Sequence, residues 1–240
     1  MPGEDSCSSA ILMHCQRHLF FLMNLTQTAN AFAPFDSLAE QLLPHVLDDA
    51  GDGSHDLSHL LRVWNNARRI QQQEGGDLRI LLAAVLLHDC VRVEKDSPLR
   101  SQASTLSAQR AQEILMALQW DTQEAQRVAH AVQAHSYSAQ ITPHSLEAKI
   151  VQDADRLDAI GAIGVARCFY VAGRMGSGLY ESLDPQATAR PLDDKRYALD
   201  HFSTKLFRLQ EGFQTAAGAA MARQRQQRMR GFVNDFLGEL

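Results

Sequence analysis

The sequence has few of the features that set a chain apart from ordinary globular proteins. Its 240 residues include only 14 Gly and 7 Pro, which excludes a low-complexity or collagen-like chain. No uninterrupted apolar run reaches about 18 residues, so no transmembrane helix is expected. Lys and Arg (23) are outnumbered by Asp and Glu (28), giving a net charge of −5. Non-specific binding to nucleic acid is therefore not expected.

Cysteine is also scarce and unpaired. The four cysteines are Cys7, Cys15, Cys90 and Cys168, and none forms a C-x-x-C pair. Two of them lie in apolar stretches, where a thiol usually packs as a small hydrophobic group. This usage favours a reducing, cytoplasmic location over a disulfide framework.

The N-terminal region, residues 1–34, has no clear structural pattern. A seven-residue apolar run, LFFLMNL, follows a basic start and precedes an A-x-A sequence, as in a weak signal peptide. Acidic charge within residues 1–5 opposes that interpretation. We favour a poorly defined extension, with Met23 as an alternative natural start.

From Phe35 onward the apolar spacing is helical almost throughout. Asp77 and Asp121 are predicted N-caps, Thr142-Pro143 predicts another helix start, and a break is expected near Gly161. The pattern predicts an all-α single domain over 35–240, with a core at about 55–160 and a C-terminal helical part at 161–240. Asp36 is a predicted cap for a helix over 37–49 that Pro44 bends or splits. The other predicted helices are 55–73, 77–90, 103–119, 121–138, 142–173, 194–211 and 213–238. The Gly- and Pro-containing segment 173–193 is predicted to be a loop.

Against these scarcities, ten histidines stand out. Metal-ligating residue types occur in four segments: HDLSH ending at His59, the pair His88-Asp89, the pair His130 and His135, and DADRLD at 153–158. Each segment alone is weak, but imidazole and carboxylate groups from several helices can surround one divalent cation. The His88-Asp89 pair ends a helix of Leu, Ile, Ala and Val, where an unpaired imidazole and carboxylate would cost several kcal/mol.

Three of these motifs, in order, resemble a known family. His59 to Val63 reads H-x-x-R-V, Leu86 to Asp89 reads L-L-H-D, and Asp153 to Leu157 reads D-A-D-R-L. They are similar to the signature of the HD-domain metal-dependent phosphohydrolase superfamily, and most similar to its small stand-alone bacterial branch, the YedJ- and YpgQ-like proteins. The resemblance covers about residues 36–210. It implies an all-α helical bundle, a divalent cation and hydrolysis of a phosphoester or phosphoanhydride.

The resemblance also implies roles for individual residues. His59, His88, Asp89 and Asp155 match the four metal ligands, and Asp153 is left with a supporting or capping role. The ion is expected to be Mn, Mg, Fe, Ni or Co. His130 and His135 match positions that hold a second ion in two-metal members, or they contact phosphate here.

The general base is less well defined by these motifs. Members that continue H-D-x-x-E have an acid where this chain has Arg92, and its next acid is Glu94. Asp89, Arg62 and Glu94 are the expected catalytic residues. Asp89 or a nearby carboxylate would position or deprotonate the attacking water.

Basic groups are expected where the phosphate binds. Arg62 follows His59 by three residues on one helical face, and Lys205 follows His201 by four. Arg62 and Lys205 are expected substrate contacts, together with His130, His135 and His201. The arginines at 223, 225, 228 and 230 are interpreted as a solvated helix face. Phe213, Phe232, Val233 and Phe236 would pack that helix on the body or on a second subunit, as in a homodimer.

Two functions remain open from the sequence. The first is a metal-dependent phosphohydrolase acting on a small phosphorylated molecule, which the family resemblance implies to be a nucleotide. The alternative is a metal-stabilised nucleotide-binding or regulatory module without turnover. Neither function requires nucleic acid or a membrane as partner.

Overall fold

Helices form the whole regular structure of the described part of the chain. The computed structural model describes residues 25–47, 57–93, 97–136 and 139–240. Within these ranges no β-strand forms beyond one isolated bridge between Gly178 and Tyr197. This confirms the all-α prediction. The α-helices are α1 (Asp36–Leu42), α2 (Leu57–Glu74), α3 (Leu78–Leu87), α4 (Ala103–Ala117), α5 (Thr122–Ala134), α6 (Leu146–Asp158), α7 (Gly161–Met175), α8 (Ala198–Thr204) and α9 (Ala216–Gly238).

Helix starts follow the predicted capping residues in two cases and differ in a third. Asp77 and Asp121 each accept two backbone N–H bonds at the starts of α3 and α5. The helix predicted to start at Thr142 begins at Leu146 instead. Ser145 is its N-cap and accepts a hydrogen bond from the backbone N–H of Ala148. The strong local cap at Ser145 therefore outweighs the Thr-Pro signal.

Helix α3 is the centre of the molecule. All its residues from Ile80 to Leu87 are buried, and it packs against α1, α2, α5 and α6. Because a helix that is apolar on every side needs neighbours on every side, the other helices surround it. This arrangement carries His88, at the end of α3, into the interior of the bundle.

The predicted break near Gly161 separates α6 from α7. Gly161 has φ of +78°, a left-handed conformation that favours glycine. The turn reverses the chain immediately after Asp158. As a result, Arg167 in α7 can reach back to the last residue of α6.

The C-terminal helix α9 packs on α2, α6 and α7. Asp153 of α6 is fully buried and accepts hydrogen bonds from Gln214 N, Thr215 N and Thr215 Oγ1 at the start of α9. The aromatic residues Phe232 and Phe236 of α9 pack on Phe169 of α7. Of the two roles that the sequence left open for Asp153, the structure shows a supporting one, because Thr215 is the N-cap of α9 and Asp153 holds Thr215.

Other predicted boundaries are shifted. The segment predicted as one helix over 194–211 contains α8 and a separate 3₁₀ helix, Leu206–Gln210, because the backbone at Lys205 leaves helical geometry. Ahead of the expected domain start at residue 35, Ala29 and Phe32 are already buried in the core. Among the described helices, none has the length and apolar character needed to cross a membrane.

Candidate metal centre

Three helices bring predicted metal ligands to one point. His59 lies in the first turn of α2, His88 directly follows α3, and Asp155 lies in α6. His59 Nε2 is 3.2 Å from His88 Nε2 and 3.5 Å from Asp155 Oδ1. His88 Nε2 is 4.0 Å from the same Asp155 oxygen. Residues far apart in sequence thus present two nitrogens and an oxygen to one small volume.

Asp89 completes this group on its more open side. Its Oδ2 is 3.5 Å from His88 Nε2, and its Oδ1 is 3.5 Å from His135 Nε2. Ligand atoms from His59, His88 and Asp89 all lie within 4.8 Å of one another. His59 and His88 are buried, whereas the side chains of Asp89 and Asp155 are 33% and 29% exposed. The cluster is closed on its histidine side and accessible on its carboxylate side.

The three imidazoles share one hydrogen-bonding pattern, in which Nδ1 donates to a fixed acceptor. Nδ1 of His59 donates to Asp158 Oδ2 over 2.8 Å, and Nδ1 of His88 donates to the Val85 carbonyl over 2.7 Å. Nδ1 of His135 donates to the Val132 carbonyl over 2.6 Å. These acceptors place a proton on each Nδ1, so Nε2 of each ring faces the cluster.

The donor set fits a divalent cation. With both Nδ1 atoms protonated, the facing Nε2 lone pairs of His59 and His88 repel unless a proton or a cation lies between them. Neighbouring ligands with bonds of about 2.1 Å are about 3 to 3.4 Å apart, which matches their separation. Two imidazoles and two carboxylates suit the borderline and hard ions from Mg to Zn.

Burial and charge act differently on the histidines. Burial lowers the pKa of His88 to about 4, against the attraction of Asp89, and keeps the ring neutral as metal ligation requires. Burial also opposes charge on His135. There the hydrogen bond and the negative charge of Asp89 outweigh it and raise the pKa to about 9. The two rings contribute a neutral ligand and a proton donor to one site.

The sequence interpretation missed the role of Asp158. This carboxylate is 1% exposed and holds both His59 and Arg62. The signal available was its spacing of three residues from Asp155, which puts both on one side of α6. Its partner Arg167, on α7, has no local signal because the contact depends on the turn at Gly161.

Hydrogen bonds to Asp158 hold Arg62 beside the cluster. Its Nε and Nη2 donate to the two Asp158 oxygens over 2.6 and 3.0 Å, and its Nη1 donates to Ser58 Oγ over 2.8 Å. The side chain remains 31% exposed. Arg62 is therefore fixed next to the ligand His59, with part of its guanidinium accessible to solvent.

Other predicted site residues lie elsewhere or outside the described residues. His130 stacks on His144, and its Nε2 accepts from the His144 backbone N–H over 3.0 Å, so the structure does not bring it together with His135. His201 Nδ1 is 3.0 Å from Asp194 Oδ2. Lys205 is exposed and follows the last residue of α8. Glu94 and His55 lie outside the described residues.

Comparison with known proteins shows the family of this chain. The HD domain model matches residues 56–160, a range that contains all four predicted ligands. The Bacillus subtilis protein YpgQ is 35% identical over 200 residues, spanning 81% of this chain and 90% of that protein. The similarity therefore extends well beyond the motif segments.

Solved structures show the same fold. The crystal structure of B. subtilis YpgQ in complex with ADP is 30% identical, with a TM-score of 0.64, and covers 89% of this chain and 95% of that one. An HD-superfamily hydrolase from Bacillus thuringiensis is 30% identical, with a TM-score of 0.63, covering 90% and 96% of the two chains. By its motifs, fold and relatives, the chain belongs to the HD-domain superfamily of hydrolases, among the YpgQ-like proteins.

Proposed function

We propose that this protein is a divalent-metal-dependent phosphohydrolase whose substrate is a nucleotide. The observation that carries the proposal is the meeting of His59 Nε2 and His88 Nε2 beside Asp89 and Asp155. Two buried imidazoles with committed Nδ1 protons bring two Nε2 atoms together, and a cation between them would stabilise this arrangement. The two partly exposed carboxylates give that cation an open side, as a hydrolytic site requires.

The residues of the cluster have different proposed roles in hydrolysis. His59, His88, Asp89 and Asp155 would hold the ion, which when bound lowers the pKa of water and polarises a phosphoryl oxygen. Asp89 is partly exposed and lies 3.5 Å from His135 Nε2, which supports a role for Asp89 or a nearby carboxylate in orienting or deprotonating the attacking water. His135 supplies a donor for a phosphoryl oxygen on the same side.

Positive charge beside the cluster supports an anionic substrate. Arg62 and Arg167 converge on Asp158, and their side chains are 31% and 33% exposed. A fixed guanidinium is well suited to a phosphate because its donors form a planar fork. His130, His201 and Lys205 stay predicted substrate contacts from the sequence.

The nucleotide assignment is supported by the relative. YpgQ has been crystallised in complex with ADP, and it shares its fold with this chain over nearly its full length. A nucleotide offers both a phosphoanhydride to cleave and a base for specificity. We therefore place nucleoside diphosphates and triphosphates first among the substrates to test.

A nucleotide panel tests the proposal. Purified protein is incubated with Mn²⁺, Mg²⁺, Fe²⁺, Ni²⁺ or Co²⁺ and each nucleoside di- and triphosphate, and phosphate and pyrophosphate are measured separately. We expect release of one of the two with at least one nucleotide and ion, and its loss in Asp89→Asn. Absence of release across the whole panel would contradict the proposed activity.

Binding without turnover is the second candidate function, and the ADP complex of YpgQ favours it as much as it favours hydrolysis. It predicts that nucleotides raise the melting temperature of the metal-loaded protein while remaining chemically unchanged. Chromatography of the nucleotide after the thermal-shift assay separates the two functions. Recovery of intact nucleotide would select binding, and recovery of product would select hydrolysis.

A further inference from the structure

One buried carboxylate connects the candidate metal ligand to the neighbouring arginines. Asp158 Oδ2 accepts hydrogen bonds from His59 Nδ1 (2.8 Å), Arg62 Nη2 (3.0 Å) and Arg167 Nη1 (2.8 Å). Its Oδ1 accepts from Arg62 Nε over 2.6 Å. Three side chains from α2 and α7 thus depend on one residue at the end of α6.

Two guanidinium groups and one imidazole N–H converge on the two oxygens of Asp158, so this side chain has four donors to satisfy. An ionised carboxylate can accept all four of these hydrogen bonds at once. Neither a neutral amide nor an alkyl group can do so.

We infer that Asp158 is a positioning residue that sets the affinity of the metal site by orienting His59 and that fixes Arg62 and Arg167 beside it. The inference rests on the proposed metal site. The hydrogen bond to Nδ1 fixes both the tautomer and the ring direction of His59, and so directs the Nε2 lone pair toward the other ligands. Loss of such a supporting acceptor typically costs about 10- to 100-fold in metal affinity.

Two substitutions of Asp158 distinguish its positioning of His59 from an effect of its negative charge. Asp158→Ala removes every acceptor, and we expect the dissociation constant for Mn²⁺ to rise by about 10- to 100-fold. Asp158→Asn keeps one carbonyl oxygen, which can turn toward His59 Nδ1. Its amide nitrogen would then face Arg62 Nε. We expect Asn to bind Mn²⁺ within a few-fold of the wild type, while Arg62 loses one hydrogen bond.

Asp153 provides a matched control on the same helix. It is equally buried but accepts its hydrogen bonds from the start of α9 rather than from a metal ligand. Asp153→Ala should lower the melting temperature and leave the Mn²⁺ dissociation constant unchanged. Arg62→Met and Arg167→Met should also leave the Mn²⁺ dissociation constant unchanged, because they spare the bond to His59.

Isothermal titration with Mn²⁺ alone gives the decisive comparison, and the visible spectrum of the Co²⁺-loaded variants reports the ligand geometry. Weak binding by Ala with near-normal binding by Asn supports the inference. Wild-type affinity in folded Asp158→Ala, or equal losses in Ala and Asn, would overturn it. If Asp158→Ala does not fold, the test rests on Asp158→Asn. A Co²⁺ spectrum and an Mn²⁺ affinity equal to those of the wild type support the positioning role, and a loss of Mn²⁺ affinity in Asp158→Asn overturns it.

The metal readout is independent of turnover. If no nucleotide is hydrolysed but the Asp158 variants differ as expected, the proposed activity fails and this inference stands. If hydrolysis is found but the Asp158 variants bind Mn²⁺ like the wild type, the activity stands and this inference fails.

Discussion

The histidines in the described part of the chain differ in what their ring nitrogens contact. His59, His88 and His135 each donate from Nδ1 to a fixed acceptor and direct Nε2 to the cluster. His130 instead stacks on His144. The acceptor that is hydrogen-bonded to Nδ1, and not the residue type, decides which imidazole directs its Nε2 toward the cluster.

Substitution of the inner ligands tests this division. His88→Ala or Asp89→Ala should abolish stoichiometric metal binding, because each removes one of four ligands and leaves the others too few to hold the ion. His144→Ala, which alters a histidine away from the cluster, is the control and should keep its metal. Mass spectrometry of metal content after dialysis gives the result. Unchanged content in both ligand variants would show that the site is elsewhere.

The sequence predicts the metal ligands better than it predicts the residues that hold those ligands in place. The motifs around His59, His88 and Asp155 have fixed local spacing, and the structure brings these residues together. Asp158 and Arg167 meet only because Gly161 turns the chain between two helices. Contacts made by tertiary packing of this kind have no sequence pattern of their own, which is why the contact between Asp158 and Arg167 was not predicted.

At the scale of elements, helix boundaries follow local capping, and helix attachment follows buried polar contacts. Asp77 and Asp121 could be identified as caps from sequence because they act within their own turn. Asp153 could not be assigned this way, because it binds the start of α9 about 60 residues later. The start of α9 is therefore crowded with polar atoms from another helix.

Two glycines in α9 test that crowding. A Cβ at Gly218 would lie 2.5 Å from Asp153 Oδ2 and 2.7 Å from Thr215 Oγ1, whereas one at Gly231 would meet nothing within 4 Å. Gly231→Ala should stabilise the protein by up to about 1 kcal/mol through helix propensity. Gly218→Ala should destabilise it by about 1 to 3 kcal/mol through overpacking. Urea unfolding measures both. Equal stabilisation by the two substitutions would refute the described attachment of α9.

The loop before α8 is held by a buried ion pair. Arg190 donates to both oxygens of Asp200, over 2.6 and 2.9 Å, and the Asp200 side chain is 1% exposed. Burial raises the pKa of Asp200, but the hydrogen bonds from Arg190 and from the Asp193 backbone N–H outweigh it and lower the pKa overall. The loop is thus tied to α8 by a carboxylate that stays ionised in the folded state.

This pair predicts a pH dependence of stability. Because the folded pKa of Asp200 is depressed, its contribution is present above the unfolded pKa of about 3.9 and is lost as pH falls through the folded value. Asp200→Asn should cost about 2 to 4 kcal/mol at pH 7. It should also lose less stability than the wild type between pH 5 and pH 3, as measured by urea unfolding. The exposed Asp235→Asn is the control, and parallel pH curves for Asp200→Asn and the wild type would contradict the assignment.

At the scale of the whole molecule, one central apolar helix places the candidate site. The all-α architecture and the family are predictable from apolar spacing and three motifs, and both are confirmed. The interruption at Lys205 and the start at Leu146 were not predicted. Both are set by short-range backbone geometry that competes with the helical pattern.

Metal binding should stabilise the whole domain. The ligands come from α2, α3 and α6, so they are correctly arranged only in the folded state. Mn²⁺ at 100 times its dissociation constant should therefore add about 2.7 kcal/mol to the free energy of unfolding. A thermal melt with Mn²⁺ or with EDTA measures the effect, and His88→Ala should abolish it. An equal shift in that variant would indicate binding away from the cluster.

The central claim is that one divalent ion lies between His59, His88, Asp89 and Asp155. The most direct measurement is an anomalous difference map from crystals grown with Mn²⁺, collected at the manganese absorption edge. The account predicts a strong peak within bonding distance of His59 Nε2, His88 Nε2 and the two carboxylates. No peak there at saturating Mn²⁺, or a peak only at other residues, would contradict it.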